Sequence, residues 1–264
     1  MDKLGPICRA VEDCAVVLAA IHGPDGHDRT VHDVAFNWDA DVPLNSIRVG
    51  YLKADFEREP SAEQLQRETE PQRARRLEQR KFDQAALEVL RGKLGVSLIE
   101  VALPDLPAQA MRPILVAEAA AAFDELTRSG RDKLLTAQGR NDWPNTFRNS
   151  RFIPAVEYIN ANRARMLLMQ QMAELFKKVD VIVTPTFGPQ LLVTNLTGHP
   201  AVILPNGFRA SDGTPVSLTF LGNLFGEAKL CAVAKQYQDA TGFHLQHPRL
   251  SAEPTPKVLP RPQA

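Results

Sequence analysis

The strongest constraint on the fold is a long, charged helical pattern that lies between two short apolar runs. Residues 47–52 and 96–101 each alternate or cluster apolar side chains as strands do. Between the two runs, apolar residues recur at helical spacing at Phe82, Ala85, Ala86, Val89 and Leu90. Two strands joined by a helix of this length pair in parallel through a right-handed crossover. The chain is therefore predicted to belong to the α/β class.

Three further apolar runs indicate that the sheet is buried on both faces. Residues 179–184, 201–204 and 216–221 are short, rich in β-branched side chains and nearly continuous in their apolarity. Asp212 and Gly213 lie between the last two runs and predict the turn of a hairpin. The expected architecture is a mixed, largely buried sheet that is covered by helices on both faces.

The longest predicted helix spans residues 154–178. One of its faces is expected to pack on the core, and that face contains Ile159, Met166, Met169, Ala173 and Phe176. Beside it lie Leu168, Met172 and Leu175. Shorter helices are predicted over residues 11–21, 114–128 and 227–241.

Composition excludes several classes of partner. Lys plus Arg and Asp plus Glu each number 31, so no overall positive field exists to recruit nucleic acid or an anionic membrane. The charge-dense residues 57–91 are also balanced in sign, which favours a solvated helix face over a nucleic-acid-binding arm. No apolar run approaches the roughly 20 residues that span a bilayer. The three cysteines show no C-x-x-C spacing, which suits a reducing compartment. We therefore expect a cytoplasmic protein without nucleic-acid or membrane partners.

The chain is predicted to form one domain with a tail. No internal repeat or strong linker divides residues 1–247. The last 17 residues, 248–264, contain five prolines and are predicted to be disordered.

Candidate nucleophiles and metal ligands are scarce. None of the eight serines lies in a glycine-rich turn, and there is neither a G-x-S-x-G elbow nor a glycine-rich phosphate loop. His22, His27 and His32 span a helix end and a turn, so they are not expected to converge on a metal ion. No catalytic residue, metal or cofactor is predicted.

Two loops at strand ends supply candidate substrate-binding residues. Thr197, Gly198 and His199 form a tight loop that leads into an apolar strand, and Thr184 and Thr186 end another. Loops at strand ends are where α/β proteins bind ligands. The alternative is structural, with Gly198 shaping a turn and the imidazole bonding a neighbouring carbonyl. A role for His199 as a catalytic base is not expected, because the sequence offers it no nucleophile.

Five ordered segments carry a resemblance to a known family. They are DKLGPICR at residues 2–9, VGYL at 49–52, RAR at 163–165, DVIVTP at 180–185 and TGHPAVILPNGF at 197–208. In this order they resemble the amidase signature family. The resemblance implies a mixed sheet between helices and hydrolysis of a small carboxamide through a serine acyl-enzyme. Its triad is a serine nucleophile, a second serine in cis peptide geometry and an unprotonated lysine, and none of these has a counterpart in this sequence.

Three hypotheses follow from the resemblance, in order of preference. The first is that residues 1–247 are the C-terminal part of an amidase signature domain, truncated and inactive. In the second, a separately encoded N-terminal half completes a split amidase, and in the third the chain is a non-catalytic binding module. Within the family, an amidotransferase A subunit typically resembles G-L-P and P-V-G-L-Q where this chain has GHP at 198–200 and PVSLTF at 215–220. That difference favours a stand-alone amidase.

Overall fold

In the part of the chain that the structure describes, five strands form one mixed sheet in the order β2-β1-β3-β5-β4. Their bounds are β1 Val49–Leu52, β2 Ile99–Val101, β3 Val181–Pro185, β4 Ala201–Phe208 and β5 Pro215–Gly222. Strand β1 pairs in parallel with both β2 and β3, whereas β5 is antiparallel to both β3 and β4. Four strands therefore point in one direction and β5 points in the other. The predicted α/β class and mixed sheet are confirmed.

The computed structural model describes residues 1 and 3–247, and the predicted tail at 248–264 lies outside them. Ten α-helices occur in the described residues. They are α1 Val11–Ile21, α2 Lys53–Phe56, α3 Ala62–Arg67, α4 Glu70–Glu88, α5 Pro113–Ala122, α6 Asp124–Arg128, α7 Trp143–Ser150, α8 Ala155–Phe176, α9 Gln190–Thr197 and α10 Glu227–Thr241. None of these helices is long and apolar enough to cross a bilayer.

Helices cover the sheet on both faces. Because successive side chains of a strand point in opposite directions, neighbouring strand residues contribute to different cores. Val181 and Val183 face one core, which they share with buried residues of α1, α4 and α10. Ile182, between them, faces a second core formed with α5, α8 and α9. All three valine and isoleucine side chains are fully buried, as the continuous apolar run predicts.

Helix α4 is anchored to β4 at a bulge that requires glycine. The ladder between β4 and β5 shifts register between Pro205 and Phe208. Gly207 has φ 125° there, and a Cβ on it would lie 2.4 Å from the ring of Phe82. Asn206 also donates a hydrogen bond of 3.0 Å to the Phe82 carbonyl. The absence of a side chain at Gly207 thus lets the middle of α4 approach the sheet. Beyond the bulge, Asp212 and Gly213 form the predicted hairpin turn, in which the Arg209 amide donates to the Thr214 carbonyl at 2.9 Å.

The predicted core face of α8 is wrong in part. Phe176 is buried, but Ile159 and Met166 are 56% and 54% exposed. The buried residues of α8 are Ala161, Leu168, Met172, Leu175 and Phe176. This helix carries apolar residues on two overlapping stripes, so periodicity alone could not identify the stripe that contacts α5 and α9.

The helix predicted over residues 114–128 is also interrupted. It divides into α5 and α6 at Phe123, which leaves the helical region with φ −103° and ψ 24°. Phe123 stacks on Phe147 of α7 with ring centroids 5.1 Å apart. The alanine-rich sequence gives no local signal for this break, which coincides with a tertiary contact.

Candidate functional site

The five candidate residues lie at two opposite edges of the sheet. Thr184 and Thr186 are at the carboxyl edge, where β1 and β3 end. Thr197, Gly198 and His199 precede β4, which runs in the same direction as β3, so they lie at the amino edge. Strand β3 has five residues, and at a rise of about 3.3 Å per residue the two edges are about 13 Å apart. The structure therefore does not bring the two groups together.

At the amino edge, His199 is enclosed and partly paired. It is 1% exposed, and its ring stacks on Phe176 with centroids 4.8 Å apart and an interplanar angle of 12°. Its Nδ1 lies 2.8 Å from the Thr197 hydroxyl, which donates its own proton to the Val193 carbonyl at 2.9 Å. The Thr197 hydroxyl is therefore within hydrogen-bond distance of two groups, and the imidazole tautomer decides the direction of its contact with Nδ1. Nε2 is buried and has no partner among the described residues.

Burial determines the protonation state of His199 at the amino edge. Burial lowers the pKa of His199 to about 4, and the positive charge of Lys3 acts in the same direction. Lys3 donates to the carbonyls of Thr194 and His199, at 3.1 and 2.5 Å. Gly198 has φ 84° and ends α9 in a left-handed conformation that glycine adopts without strain. His199 is therefore a neutral hydrogen-bonding group at pH 7.

At the carboxyl edge, an open cleft of about 680 Å³ lies between the sheet and α2, α3 and α4. Thr186 lines this cleft, whereas Thr184 is fully buried behind it. Gln190 fixes the turn after β3 by donating to the carbonyls of Pro185 and Thr186, at 2.8 and 2.9 Å. Thr219 donates a hydrogen bond of 3.2 Å to the Thr186 hydroxyl. We call this feature the carboxyl-edge cleft.

The most unusual group in the carboxyl-edge cleft is Asp83, which the sequence interpretation missed. It is 7% exposed and accepts a hydrogen bond of 2.9 Å from the Gln79 amide. Burial raises the pKa of its carboxyl to about 6, although the Gln79 hydrogen bond acts in the opposite direction. A signal was present, because Asp83 precedes the buried Ala86, Leu87 and Leu90 at spacings of three, four and seven. The helical spacing of an acidic residue to apolar residues predicts its burial better than the net charge of the segment does.

The described residues contain no group of three or more His, Cys, Asp or Glu side chains that is placed to hold a metal ion. The substrate-binding roles of Thr184, Thr186, Thr197, Gly198 and His199 stay predictions. Only Thr186 among them lines the large cleft.

Comparison with curated proteins places the chain beside one group of enzymes. The glutamyl-tRNA(Gln) amidotransferase A subunit from Marinomonas sp. (strain MWYL1) is 27% identical over 95% of this chain and 57% of the relative. Its counterpart from Janthinobacterium sp. (strain Marseille) is 28% identical over 94% of this chain and 58% of the relative. The chain thus spans little more than half the length of these relatives.

Solved structures of the same family share the fold. A bacterial aryl acylamidase of the amidase signature family matches with a TM-score of 0.65 and 18% identity, over 90% of this chain and 52% of that one. The glutamyl-tRNA(Gln) amidotransferase A subunit from Thermotoga maritima matches with a TM-score of 0.58 and 19% identity, over 88% and 51%.

The family model described as Amidase matches residues 1–192, which is more than two thirds of the sequence. The resemblance drawn from the five ordered segments is thereby confirmed. This chain belongs to the amidase family.

Proposed function

We propose that this chain forms part of the substrate site of an amide-processing protein related to the glutamyl-tRNA(Gln) amidotransferase A subunit, and that it does not hydrolyse amides by itself. The relatives that match along about 95% of the chain carry that name. They favour an amidotransferase-type protein over the stand-alone amidase expected from the GHP and PVSLTF segments. Their name also describes one component of an assembly, which supports a partner chain.

The observation that carries the proposal is the enclosure of Thr197 and His199. A hydroxyl nucleophile must give its proton to a base. The Thr197 hydroxyl instead donates to the Val193 carbonyl at 2.9 Å, and it lies 2.8 Å from His199 Nδ1. Both residues are also at least 98% buried, so a substrate amide has no access to them. The Thr197–His199 pair is therefore a structural contact.

A partner that supplies the nucleophile is the second part of the proposal. The family mechanism requires two serines and a lysine for which this sequence has no counterpart. The substrate would be a small carboxamide, and the partner a catalytic half encoded separately. The relatives extend well beyond the part that this chain covers, which is consistent with such a division.

Release of ammonia tests the proposal. The purified chain is incubated with L-glutamine and a panel of aliphatic and aromatic carboxamides, alone and after co-expression with the part of the Marinomonas relative that it does not cover. We expect no turnover by the chain alone and measurable turnover by the co-expressed pair. Turnover by the chain alone that is lost in His199→Ala would overturn the proposal, because the nucleophile would then lie within this chain.

A further inference from the structure

Asp83 is a buried carboxylate without a cationic partner, although it lies on a helix rich in arginine. Arg76 and Arg80 belong to the same helix, α4. Arg76 donates two hydrogen bonds to Glu68, at 2.7 and 2.9 Å, and Arg80 pairs with Glu59. Asp83 makes no ion pair among the described residues and accepts a bond from the neutral Gln79. Both arginines of α4 that line the cleft thus pair with other acids, and Asp83, the most deeply buried acid of the cleft, is left without a cationic partner in the described part of the chain.

An unpaired carboxylate in this position is unfavourable unless something else compensates it. Desolvation disfavours its charged form, in accord with the raised pKa of Asp83. A titratable group with a perturbed pKa that lines a cleft is a candidate functional residue. The cleft also lies at the carboxyl ends of two parallel strands, which is the usual ligand position in α/β sheets.

Besides Asp83, five arginines and two acids line the cleft, and four of the five arginines are ion-paired with an acid. Arg58 pairs with Asp55, and Arg209 pairs with Asp212 at 3.2 Å. Arg67 has no ion-pair partner among the described residues, but it is exposed. The titratable and charged groups that line the cleft or interact with Asp83 are Arg76 and Arg80 on α4, Arg67 on α3 with Glu68 directly after it, Asp55 on α2 with Arg58 two residues beyond its end, Arg209 on the hairpin and Tyr237 on α10.

We propose that the carboxyl-edge cleft binds a small ligand that carries a primary ammonium group, and that this group donates hydrogen bonds to the Asp83 carboxylate. An ammonium group would give Asp83 the cationic partner that it lacks among the described residues. Hydrogen bonds between charged groups are also stronger than those between neutral groups. The Thr186 and Ser217 hydroxyls and the Gln64 and Gln72 amides line the same space and supply neutral contacts. The inference concerns Asp83 and does not require the chain to process an amide.

The proposed contact has a distinctive pH dependence. Only the ionised carboxylate attracts an ammonium, so affinity should be constant above the pKa of Asp83, which is about 6. Below that value affinity should fall about tenfold per pH unit. A ligand held by the arginines through a carboxylate would not lose affinity in this way between pH 6 and 5.

Three matched probes test the proposal: propylamine, β-alanine and propionate. Propylamine carries only the amine, β-alanine carries an amine and a carboxylate, and propionate carries only the carboxylate. Each is titrated into the ¹⁵N-labelled chain, and the side-chain amide of Gln79 reports on the cleft. We expect propylamine and β-alanine to shift this signal at pH 7 and propionate to leave it unchanged. Asp83→Asn should weaken binding of the amines by about tenfold or more, since the variant removes the charge from the acceptor of the proposed hydrogen bond.

Glu88→Gln is the matched control, because it removes one negative charge from the exposed side of α4 outside the cleft. It should bind the amines as the unmodified chain does. Equal amine binding by Asp83→Asn would overturn the proposal, and so would binding of propionate without the amines. The pH profile of the unmodified chain gives a second test that needs no variant, and a flat profile from pH 7 to 5 would contradict the proposal.

Discussion

The two edges of the sheet place their polar groups in opposite circumstances. At the amino edge, His199 is sealed under Phe176 and its Nδ1 is satisfied by Thr197. At the carboxyl edge, Asp83 is also buried, yet it borders an open cleft and makes no ion pair among the described residues. His199 is buried by stacking on Phe176 at the first edge. At the second edge, the buried Asp83 carboxylate has no cationic partner among the described residues. Burial alone therefore does not tell how a polar group of this sheet is stabilised.

The largest expected difference between the edges is in packing. Phe176 is 4% exposed and supports His199, whereas Phe187 lines the carboxyl-edge cleft and is 86% exposed. Phe176→Ala should lower the free energy of unfolding by about 3–5 kcal/mol, and Phe187→Ala by less than about 0.5 kcal/mol. Urea denaturation of the two variants measures both values. Similar losses would mean that the carboxyl edge is packed as tightly as the amino edge.

The next effect is the response of the amino edge to acid. The pKa of His199 is lowered to about 4 by burial, so the unfolded chain binds the proton first as the pH falls below about 6.5. Stability contributed by His199 is therefore present at neutral pH and decreases toward pH 4, by on the order of 3 kcal/mol. The urea midpoint of unfolding should therefore decrease less between pH 7 and pH 4 in His199→Gln than in the unmodified chain. The exposed His27→Gln is the control, and its midpoint should decrease as much as that of the unmodified chain.

The carboxyl edge should respond to pH with the opposite sign. The pKa of Asp83 is raised to about 6, so its contribution is present at low pH and is lost as the pH rises from about 4 to 6. Asp83→Asn should therefore be more stable than the unmodified chain above pH 6, by on the order of 2–3 kcal/mol, and similar to it near pH 4. The same urea series measures this. A variant that is less stable at pH 7 would show that Asp83 has a partner in solution.

The sheet was predictable from sequence because its strands are specified locally. Residues 179–184 are apolar on both faces, and Asp212-Gly213 marks the hairpin turn, so the corresponding elements form close to their predicted bounds. The buried face of α8 was not predictable, since Met166 and Leu168 are equally apolar and only tertiary contacts choose between them.

The candidate site was predictable only in part. Thr186 could be placed at a strand end from its sequence neighbours. Its separation from His199 depends on strand directions in the assembled sheet, which no local pattern encodes. Asp83 escaped notice because the charges of residues 57–91 were weighed only by their sign and not by their register with the buried residues. That Arg76 and Arg80 pair with other acids is a tertiary choice that the sequence does not encode.

The strand order also has a consequence for how the molecule assembles. Strands β4 and β5 are joined by the six residues 209–214, whereas Val49 of β1 meets Val181 of β3 across 132 positions of the chain. Closing a long loop costs more conformational entropy than closing a short one, and distant parallel pairing is slow. Sheet formation is therefore expected to begin at the hairpin, and the seam between β1 and β3 should close late.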